Sequence, residues 1–435
     1  MGGGRVHLHL GGCVEVMQSM PEQSVEAVVT DPPYDLLQAS RRGSNRSNEP
    51  ANPFGRHGSR GGFMGMAWDA TGIAFEPATW FEVLRVLKPG GHLLAFGGTR
   101  TWHRMTCAME DAGFEVRDCL MWLYGSGFPK SRDLGRALEA RPDGSGADEA
   151  GWEGWGTGLK PAWEPIVLAR RPLTERSVAA NLLRFGTGAI NVEGCRITFA
   201  GPADEDESKT KNRHEAFGSG ARANRIYGGD PSSRRDYSAP GRWPANLLLG
   251  HAEGCGDPGG CAPGCPVVDL DQQSGIRRSR RGRPRSAGSS TLGYHMTRTG
   301  TEHNDFGGAS RFFYVAKAST AERNHGLGPI TGPPGDQSDS ADSNESRPSD
   351  PDGAGRNTHP CVKPVALMRY LCRLITPPGG TVLDPFMGSA STGVAAVAEG
   401  LAFQGIEAQP PYFDLARARM RQALRESGMG SVRAA

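Results

Sequence analysis

Two short segments, far apart in the chain, constrain the fold more than anything else in it. The mostly apolar run Val25 to Val29 is closed by Thr30-Asp31-Pro32-Pro33-Tyr34, and Thr381-Val382-Leu383 is closed by Asp384-Pro385-Phe386-Met387-Gly388-Ser389. An apolar, β-branched run that stops on Asp-Pro reads as a buried strand with an abrupt end. In open parallel sheets, ligands bind beyond the carboxyl ends of the strands, where strand order switches. If these two strands are neighbours, their acidic turns face one crevice, where one turn can hold a ligand and the other can do chemistry.

The rest of the chain supplies a sheet for them. Arg5 to Leu10 alternates as a short strand would, and Cys13 to Met20 reads as a helix closed by Pro21. Trp80 to Leu87 reads as an amphipathic helix stopped by Lys88-Pro89-Gly90-Gly91, followed by a buried strand His92 to Phe96, a helix Trp102 to Ala112 and a strand Phe114 to Leu123. Further strands are expected at Ile166 to Ala169, Leu247 to Leu249, Arg311 to Ala316 and Leu401 to Ile406, with helices from Pro364 to about Ile375, Ser391 to Glu399 and 412–426. Strand–helix alternation of this kind predicts a doubly wound α/β sheet. Trp80, Trp102 and Trp122 are expected in its core.

Composition says how much of the chain stays outside that core. Among 435 residues there are 62 glycines and 32 prolines, and only 37% are hydrophobic, so long uncored segments must accompany the packed part. They are expected at 35–66, which reads equally as a loop suited to closing over a substrate and as a disordered insertion, and at 201–240 and 330–358, which read as disordered insertions. No stretch approaches a membrane span and the N-terminus lacks a signal-peptide pattern. Nine cysteines, an odd and scattered set, fit a reduced, cytoplasmic setting.

His251, Cys255, Cys261 and Cys265 fall close together, and zinc accepts a Cys3His set. Their spacings match no common zinc finger, so the sequence favours free thiols here, with structural zinc as the alternative. Arg277, Arg278, Arg280, Arg281, Arg283 and Arg285 form the most basic run, interleaved only with Ser, Gly and Pro. A run without an apolar face is suited to nucleic-acid phosphates, which position a duplex without reading it.

Asp-Pro-Pro-Tyr at 31–34 with Asp-Pro-Phe-x-Gly-Ser at 384–389 resembles the amino-group DNA methyltransferases that use S-adenosyl-L-methionine. The catalytic turn comes first and the cofactor turn last, which looks like the β-class, circularly permuted arrangement of the Rossmann-like methyltransferase sheet. The likeness covers roughly residues 5–130 and 311–425, and the middle more weakly. It implies a catalytic half at 1–124, a loop-rich target-recognition region at 125–310 and a cofactor-binding half at 311–426. Trp68-Asp69 also resembles a family element that follows the catalytic turn.

The resemblance assigns roles to residues. An exocyclic amine is a poor nucleophile because its lone pair is delocalised into the base. Acceptors that hold its N–H groups favour a more tetrahedral nitrogen, and the Asp31 carboxylate and Pro32 carbonyl supply them. Pro32 and Pro33 lack N–H groups, so the turn offers acceptors without competing donors. Tyr34 offers a flat face for an extruded base. No cysteine nucleophile is required, because nitrogen attacks. Asp384, Pro385, Phe386, Gly388, Ser389, Thr392 and Glu407 are expected at the cofactor, with His359 and Lys363 of His359-Pro360-Cys361-Val362-Lys363-Pro364 beside its methionine end. Glu407 lies about twenty positions after Asp384, the spacing at which a carboxylate meets a ribose diol in dinucleotide folds.

Three positions depart from the family: Gly12 where an Asp is common, Cys361 for Thr, and Ala390 for Gly. The expected activity is transfer to adenine N6 in double-stranded DNA. Cytosine N4, an RNA or protein substrate, and a non-catalytic cofactor-binding regulator are the alternatives. No nuclease signature is found, so a cognate restriction endonuclease belongs on a separate chain.

Overall fold

The structure is a computed structural model. It describes residues 6–35, 67–124, 131, 133–139, 152–199, 205, 241–252, 255, 260–262, 265–275, 277–278, 306–316, 324–325, 327, 357, 359, 361–428 and 432–434. The expected lid at 36–66, nearly all of both expected insertions and Arg280, Arg281, Arg283 and Arg285 lie outside the described residues.

One sheet organises the molecule. Its strands in chain order are β1 (Val6–Leu10), β2 (Val25–Thr30), β3 (Leu87–Phe96), β4 (Glu115–Leu123), β5 (Trp163–Arg170), β6 (Leu247–Gly250), then β9 (Tyr314–Ala316), β10 (Thr381–Asp384), β11 (Ala402–Glu407) and β12 (Val432–Ala434). The spatial order is β12-β1-β11-β10-β2-β3-β5-β4-β6-β9. β7 (Arg277–Arg278) and β8 (Phe306–Gly307) pair apart from it as a two-stranded ribbon. Every pair in the main sheet is parallel except the two made by β5.

The two strands that carry the Asp-Pro turns are direct neighbours: Val382 lies opposite Ala27 and Leu383 opposite Val28. From β10 the chain crosses to β11 on one side, whereas β2 leads to β3 on the other. That is the switch point at which a crevice opens. The strand that ends on Asp31 precedes the strand that ends on Asp384 in sequence, the order expected of the permuted arrangement.

Helices cover both faces: α1 (Cys13–Ser19), α2 (Pro77–Val86) and α3 (Trp102–Asp111) on one, and α7 (Val365–Ile375), α8 (Ser391–Ala398) and α9 (Pro410–Ser427) on the other. Between them in sequence are α4 (Leu134–Glu139), α5 (Val178–Phe185) and α6 (Pro266–Ser274). Strand periodicity sorts the two cores. Ala27 and Val29 of β2 and Leu94 and Phe96 of β3 pack with α7–α9, while Val28, Leu93 and Ala95 pack with α1–α3. Trp80 is fully buried as expected, and its indole N–H donates to the Ala74 carbonyl at 2.8 Å.

Two sequence expectations change. β3 begins at Leu87, not His92, and runs through Lys88-Pro89-Gly90-Gly91. The breakers are real, since pairing jumps from Val25–Leu87 to Ala27–His92 across a bulge. Tertiary partners hold the bulge in the strand: Gly90 N–H donates to Arg171 O at 3.1 Å, and the Pro89 carbonyl accepts from Asn181 Nδ2 at 2.8 Å and Thr187 Oγ1 at 2.6 Å. Gly90 has φ +78°, and a Cβ there would meet the Asn181 amide. Second, only Tyr314–Ala316 of the expected strand from Arg311 is extended, because Ala309–Phe312 forms a 3-10 turn.

β5 and β6 come from the stretch assigned to target recognition, yet both belong to the main sheet. β5 enters antiparallel between β3 and β4, so its first residues, not its last, lie at the crevice edge. That reversal places Glu164 opposite Trp122, at the end of β4.

Candidate active site

The turn after β2 carries a cluster of four polar side chains. Asp31 Oδ1 accepts from the Tyr34 hydroxyl at 2.8 Å, and Asp31 Oδ2 accepts from Lys363 Nζ at 2.6 Å. Glu164 Oε2 stands 3.0 Å from the Tyr34 hydroxyl and 3.3 Å from Lys363 Nζ. Burial, then the carboxylates of Asp31 and Glu164, push the Tyr34 phenol well above its ordinary range, so it remains a donor. Burial works against the Lys363 ammonium, but Asp31 and Glu164 outweigh it and hold its pKa above that of a free lysine. The Lys363 side chain is only 8% exposed, and its Nζ also lies over the rings of Tyr34 and Phe96.

Lys363, expected beside the methionine end of the cofactor, is tied to Asp31 of the first turn and lines the cavity that both turns share. Glu164 escaped the sequence reading altogether. Its one signal was an acidic residue between Trp and Pro at the start of a buried strand, and without the antiparallel course of β5 that signal points nowhere.

Backbone contacts hold the turn. The N–H groups of Tyr34 and Asp35 both donate to Asp69 Oδ1, at 2.8 and 3.1 Å, and Thr101 Oγ1 donates to the Tyr34 carbonyl at 2.8 Å. This gives Asp69 of the Trp68-Asp69 pair a physical role. Asp35 has φ +51°, and its carboxylate accepts from Gly72 N–H at 3.1 Å. Burial lifts its pKa to about 7, against that hydrogen bond and with Asp69 nearby.

The turn after β10 is built differently. Asp384 is 2% exposed, and both its oxygens are taken: Oδ1 accepts from Thr30 Oγ1 at 2.6 Å and Phe386 N–H at 3.1 Å, Oδ2 from Thr392 Oγ1 at 2.6 Å. Burial raises its pKa to about 6 against those three donors. Asp384 and Thr392 thus tie β10 to the end of β2 and to α8. Glu407, at the end of β11, accepts from Gly388 N–H at 3.0 Å and Gln409 N–H at 2.8 Å. Burial raises its pKa. Each of its oxygens retains a further lone pair for a diol hydroxyl.

Gly388 has φ +50°, and a Cβ there would stand 2.7 Å from His359 Nε2, so the glycine lets the His359 ring close on the turn. Trp68 stacks on His359 at 5.8 Å between centroids, and Tyr412 meets His359 edge-on at 4.6 Å. The nearly buried Arg419 donates to the carbonyl of Ser389 and, at 3.0 Å, to its hydroxyl. Ser389 therefore braces the loop through its own partners. Ala390, where the family has Gly, adopts φ +60°, ψ +37°, a left-handed conformation that costs a residue with a Cβ about 1–2 kcal/mol.

A cavity of about 1520 Å³ joins the two turns. Asp31, Pro32, Pro33, Tyr34, Glu164 and Lys363 line one part, and Pro385, Phe386, Gly388, Ser389 and Glu407 another. Small-ligand pockets run to roughly 300–1,000 Å³, so this one has room for two ligands side by side. Trp122 lines it too, packed edge-on against Phe96 and tilted on Tyr124, so it is not the wholly core residue expected. At Gly12 the Glu15 carboxylate fills the space a Cβ would take, beside the same cavity.

The donor set fits S-adenosyl-L-methionine. A carboxylate at a strand end suits a ribose diol, a glycine turn lets backbone approach a ligand, and Phe386 with Ile406 gives apolar walls for an adenine. Among the basic residues, Arg277 and Arg278 form β7, paired with β8. His251, Cys255, Cys261 and Cys265 converge after β6. No helix among the described residues is long and apolar enough to cross a membrane.

Comparison with known proteins identifies the family by sequence. The sequence profile of the N6/N4 DNA methylases matches residues 25–418, and the chain belongs to that DNA methylase family. It is 26% identical over 193 residues to the Type II methyltransferase M.HindIII of Haemophilus influenzae, covering 40% of this chain and 61% of that one. It is 42% identical over 62 residues to the DNA adenine methyltransferase YhdJ of Escherichia coli K12, covering 14% of this chain and 21% of that one. The chain thus matches less than two thirds of either relative. Among solved structures it aligns with a DNA modification methylase of Thermus thermophilus, TTHA0409, bound to S-adenosyl-L-methionine, at 17% identity, TM-score 0.37 and 99% coverage of both chains. It also aligns with the cytosine-N4-specific PvuII DNA methyltransferase, at 13% identity and TM-score 0.42, covering 98% of this chain and 94% of that one.

Proposed function

We propose that the protein transfers a methyl group from S-adenosyl-L-methionine to adenine N6 in double-stranded DNA. The observation that carries this reading is the single cavity lined by both the Asp31–Tyr34 turn and the 385–389 turn. When bound, the cofactor supplies an electrophilic methyl group on a sulfonium. Glu407 and the backbone at Gly388 would hold its ribose side, Phe386 would wall its adenine, and His359, stacked on Trp68, would stand at its methionine end.

At the other turn, Asp31 and the Pro32 carbonyl accept the two N–H groups of the target amine. Tyr34 and Lys363 each donate to Asp31, so its carboxylate cannot swing away and keeps a lone pair for the amine. Two carboxylates, one ammonium and a neutral phenol leave the cluster with an excess negative charge. That favours the positive charge that develops on nitrogen as it takes the methyl group. Tyr34, or Trp122 with Tyr124, offers the aromatic face for an extruded base.

Adenine is favoured over cytosine by Asp, not Ser, before Pro-Pro, and by the name of the matched E. coli relative. Residues 125–310 outside β5 and β6 are assigned to target recognition, with the basic run on phosphates. The Type II relative is consistent with a partner endonuclease on another chain. Expression in a methylation-free host, followed by sequencing that reads modified bases directly, tests the proposal. N6-methyladenine at one motif is expected. N4-methylcytosine would move the activity to the other amine, and unmodified DNA from a folded, cofactor-binding protein would leave a non-catalytic regulator.

A further inference from the structure

β6 ends at Gly250 on the same edge of the sheet as the crevice, and α6 begins at Pro266. Between the two, one ligand atom from each of His251, Cys255, Cys261 and Cys265 lies within 4.8 Å of all the others. His251 Nδ1 is 3.5 Å from Cys261 Sγ and 3.4 Å from Cys265 Sγ. A hydrogen-bonded reading explains this poorly. A ring nitrogen has one in-plane position, as a lone pair or as an N–H, and it cannot serve two thiols at once.

A tetrahedral cation explains it directly. Zinc–sulfur bonds near 2.3 Å and a zinc–nitrogen bond near 2.0–2.1 Å, at the tetrahedral angle, put sulfur and nitrogen about 3.5–3.6 Å apart. Both observed separations lie at that edge length. The surroundings also suit thiolates. Ala262 N–H donates to Cys255 Sγ at 3.3 Å, and Cys265 is the N-cap of α6, where the helix dipole favours negative charge. Cys265 is buried against Leu249 and Val267, with Cys255 packed on the same small cluster. Such a cluster is too small to order the turn by hydrophobic burial alone.

We propose that His251, Cys255, Cys261 and Cys265 form a structural Cys3His zinc site that fastens the turn between β6 and α6. With four protein ligands it has no open position, so its role is to hold structure and not to do chemistry. Binding releases the thiol protons to solvent as the three sulfurs take up the metal. The site also fixes where the basic segment starts. α6 is tied to the 309–312 turn by Asp271, which accepts from Ser310 N–H at 2.8 Å and Ser310 Oγ at 2.7 Å, and it leads straight into β7 at Arg277–Arg278. A zinc at 251–265 therefore anchors that segment to the catalytic edge of the sheet.

The test uses the full chain and does not depend on methyl transfer. Protein from zinc-supplemented cells, dialysed against a weak chelator, is analysed for metal, and its thiols are titrated in the native state. About one zinc per chain is expected, released by an organomercurial in step with the exposure of three thiols. Cobalt exchanged for zinc should give the intense visible and near-ultraviolet bands of a thiolate-rich tetrahedral site. Cys261→Ser, the most exposed ligand, should lower retained zinc at least tenfold. Because that variant could fail to fold, the wild-type stoichiometry and cobalt spectrum stand by themselves. Folded wild-type protein with less than a tenth of an equivalent of zinc, whose clustered thiols react freely or are joined as a disulfide by mass, would overturn the proposal.

Discussion

The two Asp-Pro turns look alike in sequence and are built in opposite ways. Both follow buried strands, and those strands are neighbours in one parallel sheet. Asp31 keeps its carboxylate at the cavity among charged partners, its side chain 17% exposed and 2.6 Å from an ammonium. Asp384 is buried, with two hydroxyls and an N–H donating to it. The first is arranged to accept from something that arrives, and the second joins three elements of the fold. The two acidic turns thus differ by their partners: Tyr34 and the remote Lys363 for Asp31, and the nearby Thr392 with the remote Thr30 for Asp384.

The sharpest way to break this contrast is Asp31→Ala. Methyl transfer should fall by about 10³-fold or more, on the scale of losing a principal transition-state contact, while calorimetric cofactor affinity stays within a few-fold. Equal losses of both would mean that Asp31 is architectural like Asp384.

Lys363→Met leaves Asp31 and Glu164 facing each other without their cation. Unfolding free energy at pH 8 should drop by about 3 kcal/mol, and part of it should return at pH 5 as one carboxyl protonates. Urea denaturation at the two pH values checks this. A loss independent of pH would show that Lys363 contributes packing only.

Asp384→Asn should cost about 1–3 kcal/mol at neutral pH, since an amide cannot accept from both threonine hydroxyls. The pH dependence carries more information. With a folded pKa raised to about 6, the folded state keeps a proton that the unfolded chain has already lost. The stability Asp384 contributes is therefore fully present below about pH 4 and is lost as pH rises through about 6. The wild-type advantage over Asp384→Asn should shrink across that window and be flat above it. An advantage that grows instead would mean that the three donors outweigh burial.

The smallest effect is expected at Ala390→Gly. Relief of the left-handed backbone is offset by the greater freedom of glycine in the unfolded chain, which leaves a gain of at most about 1 kcal/mol. Thermal unfolding measures it, and a marked loss would mean that the Ala390 methyl packs more than its backbone strains.

Sequence alone determined the local grammar. Apolar runs ending on Asp-Pro marked β2 and β10 because a strand that must be buried and then stop leaves few other residue choices. Helices α7 and α8 and strand β11 were legible for the same reason: their periodicity is imposed by a core. The family signature pointed to Asp31 to Tyr34 and to the 384–389 turn, and the structure brings both to one cavity.

Only the tertiary structure decided which side chains meet. β5 runs antiparallel, so Glu164 arrives at the crevice from the start of a strand, and no local pattern records strand direction. Lys363 joined Asp31 across more than three hundred positions because α7 packs beneath β2, a fact of sheet order. β3 persists through Lys88-Pro89-Gly90-Gly91 because Arg171, Asn181 and Thr187 satisfy the bulge that local propensity would have ended. His251, Cys255, Cys261 and Cys265 have spacings that match no common zinc finger, yet their ligand atoms lie within 4.8 Å of one another, because convergence in space is set by the fold and not by spacing along the chain.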